Sequence, residues 1–455
     1  MNEQIALIRP FHDSYTITPS LGIGYLSSYL KSKNCSVLLI DALKERRSKY
    51  EVLKKLTDNN IKIAGITCLS SYYNEVVELS KLLKKSGITV IIGGVHPTFL
   101  PYKTLKETNA DYVICGEGEK ALYELLKCSG EYIKGVYSLK NLKDENVVFE
   151  KTDIVENIDE LPFPDWEQID PKSYPIAVHG TLVKSQPNAV IISSRGCPYS
   201  CKFCASNNFY DKKIRFRSPE NVVREIKLLS EKFGIKEFQI VDDNFTFDKE
   251  RAKEICRLIV EEGIKIHWSC PNGIRADKID DELAGLMKNA GCWYTLIGVE
   301  SANEAVLRNI CKGETIDAIA RAIDILHENK IETQGSFILG LPGETEESVN
   351  ESINFALNSK LNRASFKMLN IFPGSDLWNE LKGQYAPSFS GNHFNSRPVW
   401  APEGLTKEYL MQVQNEAHRK FYSRIKILFG VVRLLKMQQM LYFFKQLKAF
   451  RLFIK

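Results

Sequence analysis

The sequence predicts an α/β protein with two parallel sheets: an N-terminal flavodoxin-like (Rossmann-like) domain, then a partial (β/α)6 barrel of the TIM type, then a C-terminal helical region. Three observations carry this. Short apolar runs alternate with amphipathic stretches over residues 1–130, and again over 189–372. A proline pair spaced P-F-P lies between the two blocks. A compact C-x3-C-x2-C group follows the first apolar run of the second block. The expected boundaries are 1–135 for the first domain, 136–187 for a linker, 188–375 for the barrel and 376–455 for a mostly helical, basic tail.

In the first block, IALIRP (5–10), VLLIDA (37–42), IAGITC (63–68), TVIIGG (89–94) and YVICGE (112–117) read as strands. LGIGYLSSYLKSKN (21–34) and the stretch 74–86 read as helices. Strands alternating with helices imply a parallel sheet covered on both faces. Five strands in this length suit a doubly wound domain.

Residues 131–187 are less periodic. GVYSL and NVVFEK read as a short hairpin leading into LPFPDW (161–166). Proline blocks both helix and central strand, so this segment is expected to wrap between domains. AVIISSRG, FQIVDDN, HWSCPNGIR, YTLIGVES, GSFILGLP and SFKMLNIFP then read as six strands, with their functional ends at the carboxyl side. One helix is expected near 407–420. No internal repeat is visible.

The bulk numbers fit this division. At roughly 100–200 residues per domain, 455 residues suit two or three domains. The net charge is +5, yet residues 419–455 hold ten Lys or Arg and no acid, so the rest carries about −5. The basic excess belongs to the tail, which argues against a nucleic-acid-binding face. No signal peptide and no apolar run long enough to span a membrane is apparent, so a cytoplasmic location is expected. In a reducing compartment, clustered cysteines among the eleven present read as metal ligands rather than disulfides.

Cys197, Cys201 and Cys204 form that cluster, in CPYSCKFC. Three thiolates cannot close a four-iron cubane, so one iron stays open for another ligand. The other readings are free thiols or zinc, but zinc calls for a fourth ligand and no partner pair is present. Arg195, Gly196 and Lys202 are expected to make the loop flexible and electropositive, favouring thiolates.

This motif resembles the signature of the radical S-adenosylmethionine (radical SAM) superfamily, including the aromatic Phe203 before the last cysteine. The resemblance continues through VDDNFT (241–246), GIRAD (273–277), GVES (298–301) and FILGLPGET (337–345). It implies a 4Fe-4S cluster on Cys197, Cys201 and Cys204, with S-adenosylmethionine chelated at the open iron and cleaved to a 5′-deoxyadenosyl radical. It implies that Glu300 and Ser301 contact the ribose or methionine portion. It places the Ile338–Gly340 backbone at the adenine, and Asp242, Asp243 and Arg275 at substrate or methionine. Taken singly, each could equally be a polar residue capping a strand.

In the first block, LSSYY (69–73), GGVHPT (93–98) and GEGE (116–119) follow neighbouring strands, where open α/β sheets bind ligands. Ser70, Ser71, Gly93, Gly94, His96, Gly116, Glu117, Gly118 and Glu119 are the candidate ligand contacts. With LGIGYLSSYL ahead of them, and LPFPDW and the cysteine triad behind, their order resembles the cobalamin-binding radical SAM proteins over roughly residues 1–375. That resemblance implies a corrin between the two domains. The D-x-H-x-x-G motif that supplies a histidine to cobalt in many cobalamin domains is missing. His12 lacks its flanking residues and His96 is not assigned to the metal, so no protein imidazole is expected on cobalt.

The leading functional expectation is cobalamin-dependent radical methyl transfer to an unactivated carbon, or phosphorus, of a small-molecule or lipid-like substrate. Two methyl donors would be consumed, one charging the corrin and one cleaved at the cluster. The alternatives are radical cyclisation or rearrangement without methyl transfer, and a cobalamin- or S-adenosylmethionine-binding sensor without turnover. A reductant protein such as flavodoxin or ferredoxin is implied. The tail reads either as a helix lying on an anionic membrane, favouring a lipid-like substrate, or as a helix docked on the barrel. Trp378, His393 and Trp400 either line a pocket or pack. Among the remaining cysteines, Cys115 and Cys270 sit nearest strand ends.

Overall fold

The computed structural model describes residues 4–14, 17–127, 132–142, 144, 149–175, 183–385, 389, 397–425 and 427. In the first block the elements run β1 (Gln4–Arg9), α1 (Leu21–Ser32), β2 (Ser36–Asp41), α2 (Ala42–Glu45), α3 (Lys49–Asp58), β3 (Ile63–Thr67), α4 (Tyr73–Lys85), β4 (Thr89–Gly93), α5 (Val95–Phe99), α6 (Pro101–Thr108), β5 (Tyr112–Ile114), α7 (Glu119–Lys127) and β6 (Val136–Tyr137). The sheet order is β2-β1-β3-β4-β5-β6. β1 to β5 are parallel and β6 is antiparallel to β5. This is the flavodoxin-like order, with its crevice where the winding reverses between β1 and β3.

The strands are apolar throughout because both faces are covered. Ile5 and Leu7 face one layer, Ala6 and Ile8 the other, all nearly inaccessible to solvent. β6 differs from the expected hairpin. GVYSL pairs with β5 and lengthens the sheet, while the first half of NVVFEK lies outside the described residues.

The second block runs β7 (Asn188–Ile191), β8 (Ser194–Arg195), α8 (Ser206–Phe209), β9 (Arg215–Phe216), α9 (Pro219–Phe233), β10 (Glu237–Ile240), α10 (Lys249–Glu261), β11 (His267–Ile274), α11 (Asp281–Asn289), β12 (Cys292–Glu300), α12 (Glu304–Asn309), α13 (Ile316–Glu328), β13 (Glu332–Leu339), α14 (Glu346–Asn358), β14 (Arg363–Met368), α15 (Asp376–Glu380) and α16 (Lys407–Tyr422). Its sheet is all parallel, in the order β14-β13-β12-β11-β10-β7. Six strands in sequence order, each followed by helix, make the open barrel that the sequence predicts. α16 packs back on β14, with Gln414 Nε2 donating to the Phe366 carbonyl at 2.7 Å.

Residues 161–168 strap the two domains together. Asp165 accepts from Ser27 Oγ (2.6 Å) and pairs with Lys31 (2.6 Å), both on α1. The next residue, buried Trp166, donates its indole N–H to Glu225 of α9 at 3.0 Å. Phe163 lies under the Arg217 guanidinium at 5.2 Å. Of the basic C-terminal stretch that begins at Phe421, residues 421–425 and 427 are described. Leu428, Val432, Leu435 and the lysines and arginines beyond residue 425 lie outside the described residues, so the membrane reading is untouched.

Candidate functional site

The cysteine motif lies in the connection of a two-stranded hairpin. β8 and β9 are antiparallel, with Arg195 opposite Arg215, and residues 196–214 form the excursion between them. Gly196 opens it at φ +97°, and a Cβ there would stand 2.1 Å from the Lys213 carbonyl oxygen. Only glycine passes this point, because the two legs of the loop touch backbone to backbone. Farther along, the Lys202 N–H donates to Ile310 O and the Leu377 N–H to Lys202 O, both at 3.0 Å. Phe203 packs with Ile338 against an apolar cluster that includes Ile310, Leu341 and Leu377. Trp378 and Trp400 pack against the same cluster.

Cys197, Cys201 and Cys204 are all free and half-buried. Burial raises the Cys197 and Cys201 thiols and pushes Cys204 up to about 12. The cations opposing this at Cys197 and Cys201 are Arg275 and Lys312. The residues expected to supply that field are committed elsewhere: Lys202 pairs with Glu380 (3.0 Å) and Arg195 with two glutamates.

Lys312 is buried between Glu300 (3.2 Å) and Glu314 (3.3 Å). Arg275 donates to Lys312 O (2.9 Å) and Gly313 O (2.7 Å), and its guanidinium lies 3.6 Å from the centre of the Tyr199 ring. The end of β11, the α12–α13 loop and the cysteine loop are thereby locked together. Glu300 holds a left-handed backbone, φ +61°, at a register break of β12. Such strain in a non-glycine residue persists where surroundings enforce it.

An open, largely apolar cleft lies at the carboxyl edge of the first sheet. Leu7, Ile23, Ile66, Ile91, Ile114 and Leu122 give it apolar walls, and six glycines line it, of which Gly22 and Gly93 give it room. A Cβ on Gly22 would meet nothing within 4 Å, and one on Gly93 only Ile114 at 4.0 Å. The barrel closes the other side with Ile192, Arg195, Phe209 and Tyr210. Across this boundary Arg195 pairs with Glu117 (3.2 Å) and Glu119 (2.8 Å), and Arg215 also reaches Glu117. The last cysteine is only five residues from Phe209, so one short segment joins triad and cleft.

Comparison with known proteins decides what this arrangement is. The radical SAM superfamily matches residues 191–356 and the B12 binding domain matches residues 11–126. An uncharacterized methyltransferase of Pyrococcus horikoshii is 31% identical over 421 residues, 91% of this chain and 90% of that protein. This chain belongs to the radical SAM enzymes that carry a B12-binding domain. The anaerobic magnesium-protoporphyrin IX monomethyl ester cyclase of Rubrivivax gelatinosus is 27% identical, over 89% of this chain and 74% of that protein. The radical SAM methyltransferase TsrM of Kitasatospora setae, solved with cobalamin and a [4Fe-4S] cluster, shares the fold, with a TM-score of 0.71 at 17% identity. It covers 96% of this chain and 92% of its own. The two domain matches carry the cofactor assignment: a 4Fe-4S cluster with S-adenosylmethionine for the radical SAM part, and cobalamin for the B12 binding domain.

The residues fit those groups. The three thiols lie half-buried along one loop, with Lys312 and Arg275 beside Cys197 and Cys201, a donor set of the kind that takes one thiolate per iron. The glycine-lined, largely apolar cleft leaves the open space a broad ring needs, on the edge where such sheets bind ligands.

The structure gathers some expected contacts and disperses others. Gly93, Gly94 and Gly116–Glu119 line the cleft; Ser70, Ser71 and His96 do not. Ser70 Oγ and His96 Nδ1 bond each other at 2.9 Å in the interior, where His96 stacks on Tyr73 and burial pushes it down to about 3. His12 stacks on Tyr72 at 4.3 Å and bonds the Pro10 carbonyl. Asp242 is buried under the hydroxyls of Ser193 (2.5 Å) and Ser194 (2.7 Å), which it holds at the end of β7. Asp243, its neighbour, is exposed beside the cysteine loop. Ser301 is fully buried and accepts the Asn303 N–H at 3.2 Å, a local turn. The Gly340 N–H donates to Glu344 at 2.6 Å. Cys115 and Cys270 are core thiols, while His393 and Cys128 lie outside the described residues. Sequence reasoning missed Lys312 and Tyr210. Lys312 sits in KGET after an amphipathic helix, and no periodicity marks a lysine destined for burial.

Proposed function

We propose that the enzyme transfers a methyl group to an unactivated carbon, or a phosphorus, of a small-molecule or lipid-like substrate held between the cleft and the barrel mouth. The observation that carries this reading is the shared wall. Phe209 and Tyr210 border the cleft, and Cys204 opens the segment that leads to them. The methyltransferase of Pyrococcus horikoshii, similar over nearly the whole chain, supports the same reaction class.

Once bound, the cluster with S-adenosylmethionine supplies a carbon radical and the corrin supplies the methyl group. The protein's part is placement. Cys197, Cys201 and Cys204 would hold the cluster. Lys312 and Arg275 set positive charge beside two of those sulfurs. Phe203 and Ile338 shield the adjoining space from water. Gly93, Gly94, Gly116 and Gly118 let the ring approach backbone. No histidine is among the described residues lining the cleft; His12 bonds the Pro10 carbonyl and His96 lies in the interior against Ser70 and Tyr73, so neither would be placed to supply an imidazole to a corrin there. The reductant is a small electron-transfer protein of the flavodoxin or ferredoxin kind, and the location is cytoplasmic.

Ring formation is the second reading, favoured by similarity to the cyclase of Rubrivivax gelatinosus. The two separate on products. Reconstituted anaerobically with iron, sulfide and hydroxocobalamin, then given a reductant and methyl-labelled S-adenosylmethionine, a methyltransferase yields S-adenosylhomocysteine and labelled methylcobalamin. It also yields 5′-deoxyadenosine. Deoxyadenosine without S-adenosylhomocysteine would replace methyl transfer by ring chemistry. Nitrogen hyperfine splitting from a lower ligand in the cob(II)alamin electron-resonance spectrum would overturn the unligated cobalt.

A further inference from the structure

We infer that Lys367 anchors the substrate by an anionic group, so that the substrate is an organic acid bearing a carboxylate or a phosphate. The inference rests on the proposed reading that the substrate is held at the barrel mouth, and it names the class of compound held there.

Strand alternation places the side chain. On β14 the even-numbered residues face the helices: Phe366 stacks on Phe337 at 5.0 Å and meets the His418 ring of α16 at 5.4 Å, and Ala364 and Met368 join the same buried cluster. Side chains alternate along a strand, so Ser365 and Lys367 project from the opposite, inward face. The register agrees. Lys367 pairs with Ile338 of β13, and Ser365 with Ser336, which pairs in turn with Gly298 of β12. Partners in a parallel ladder share a face. Ile338 packs against the same apolar cluster as Phe203 of the cysteine motif, and a Cβ on Gly298 would lie 3.0 Å from Lys312 Nζ. The face that carries Lys367 is thus the one that looks onto the cysteine loop and the Lys312 network. Lys367 is the penultimate residue of β14, at its carboxyl end, and is partly exposed where Phe366 and Met368 are buried. Its accessible surface therefore lies on the barrel side of the sheet.

Charge then points to the ligand. The other cations on this side are committed. Lys312 lies between Glu300 and Glu314, Arg275 pairs with Asp277 (2.9 Å), and Arg363, on the same strand as Lys367, pairs with Glu332 (2.6 Å). Among the described residues Lys367 makes no ion pair and no hydrogen bond. An ammonium carries three donors and no acceptor, so the group that completes it is an anion. S-adenosylmethionine does not need it: its single carboxylate goes to the open iron in the family chemistry, where Arg275 and Lys312 already stand beside the sulfurs. The uncommitted charge is left for the second molecule at the mouth. β14 is also the edge of its sheet, and an edge lysine can serve merely to repel a pairing strand, a role that needs no ligand.

The test is a ligand-observed NMR titration of the full-length enzyme, reconstituted with cluster and cobalamin and supplied with S-adenosylmethionine but no reductant, at about pH 8. The probes are phenyl phosphate, phenylacetate and neutral benzyl alcohol. The better anion should bind at least about tenfold tighter than the alcohol, as a charge-assisted contact requires, and which anion leads tells phosphate from carboxylate. Lys367→Gln should bring that anion to within about threefold of the alcohol, while Lys367→Arg, which keeps the charge, should stay within about threefold of the parent. Affinity for S-adenosylmethionine, read by equilibrium dialysis, should shift by less than about twofold in both. If neither anion outbinds the alcohol, the mouth selects no anion and Lys367 is an edge guard. If Lys367→Gln keeps the preference, the anion sits elsewhere. If affinity for S-adenosylmethionine falls together with that for the anion, Lys367 serves S-adenosylmethionine and not the substrate. Should Lys367→Gln fail to fold, the better anion must shield Lys367 of the parent from acetylation, read from peptide masses, and unshielded acetylation overturns the anchor. An enzyme that forms deoxyadenosine without S-adenosylhomocysteine would overturn methyl transfer and leave the anchor standing.

Discussion

Two carboxyl-terminal sheet edges meet at the site, and they are built by opposite means. The first sheet contributes by omission. Its glycines and short apolar side chains leave a hollow, and Gly22 and Gly93 have little or nothing within 4 Å of where a side chain would begin. The barrel contributes by addition: Lys312, Glu300, Glu314 and Arg275 interlock in a charged network tied to the cysteine loop. On the function proposed above, the difference would follow the guests: a broad ring needs volume, whereas S-adenosylmethionine, with its carboxylate, ammonium and sulfonium, needs fixed charge in a site that excludes water.

This contrast can be broken one side at a time. The greatest effect is expected from Cys201→Ala, which removes an iron ligand. Deoxyadenosine formation should fall by about a thousandfold or more and iron content should drop, with cobalamin still retained through the hollow side. Simultaneous loss of both cofactors would mean that the sides are not separable. The next effect is expected from Gly22→Leu. The side chain would enter the cleft, so cobalamin retention should fall at least about tenfold with iron content unchanged. The fold should gain up to about 1 kcal/mol, because leucine suits a helix better than glycine. A stability loss with normal cobalamin binding would show that Gly22 serves packing instead.

The smallest effect is expected from Glu344→Gln. Burial pushes this carboxyl up to about 8 from 4.5. Its raised value means that the native state keeps a proton which the unfolded chain releases from about pH 4.5 upward. The resulting stability is complete below that pH and is lost as pH rises toward 8. Glutamine cannot ionise. Thermal midpoints of variant and parent should coincide near pH 5, and the variant's should be a few degrees higher at pH 8. Equal midpoints at both pH values would remove Glu344 as the titrating group.

The contrast also explains what could be read without a structure. The strands, their parallel order and the glycine positions were visible, because burial on both faces leaves continuous apolar runs and ligand approach leaves glycines at strand ends. The cysteine triad was visible because its ligands are local. The charged network was not. Lys312 and Glu300 are twelve residues apart and meet only because β12, α12 and the following loop fold back together, and Lys312 carries no local sign of burial. For the same reason Arg195 read as a free cation: its partners, Glu117 and Glu119, are more than seventy residues earlier. Ser70 and His96 misled in the other direction. They follow the ends of β3 and β4, as ligand contacts do, but the two neighbouring segments turn them inward onto each other.

The hairpin that carries the cysteine loop has a thermodynamic consequence. Arg195 and Arg215 face each other at its base, and both grip the same carboxylate of the first domain. Whatever firms that base acts on the loop above and on the cleft beside it at once. Coupling between two binding equilibria is reciprocal. A corrin that steadies the base must strengthen the loop's hold on iron by the same free energy with which the cluster strengthens hold on the corrin. The partition of iron between protein and chelator at equilibrium, with and without hydroxocobalamin, would measure that shared energy. A partition indifferent to the corrin would mean that the base is already rigid and the two sites are thermodynamic strangers.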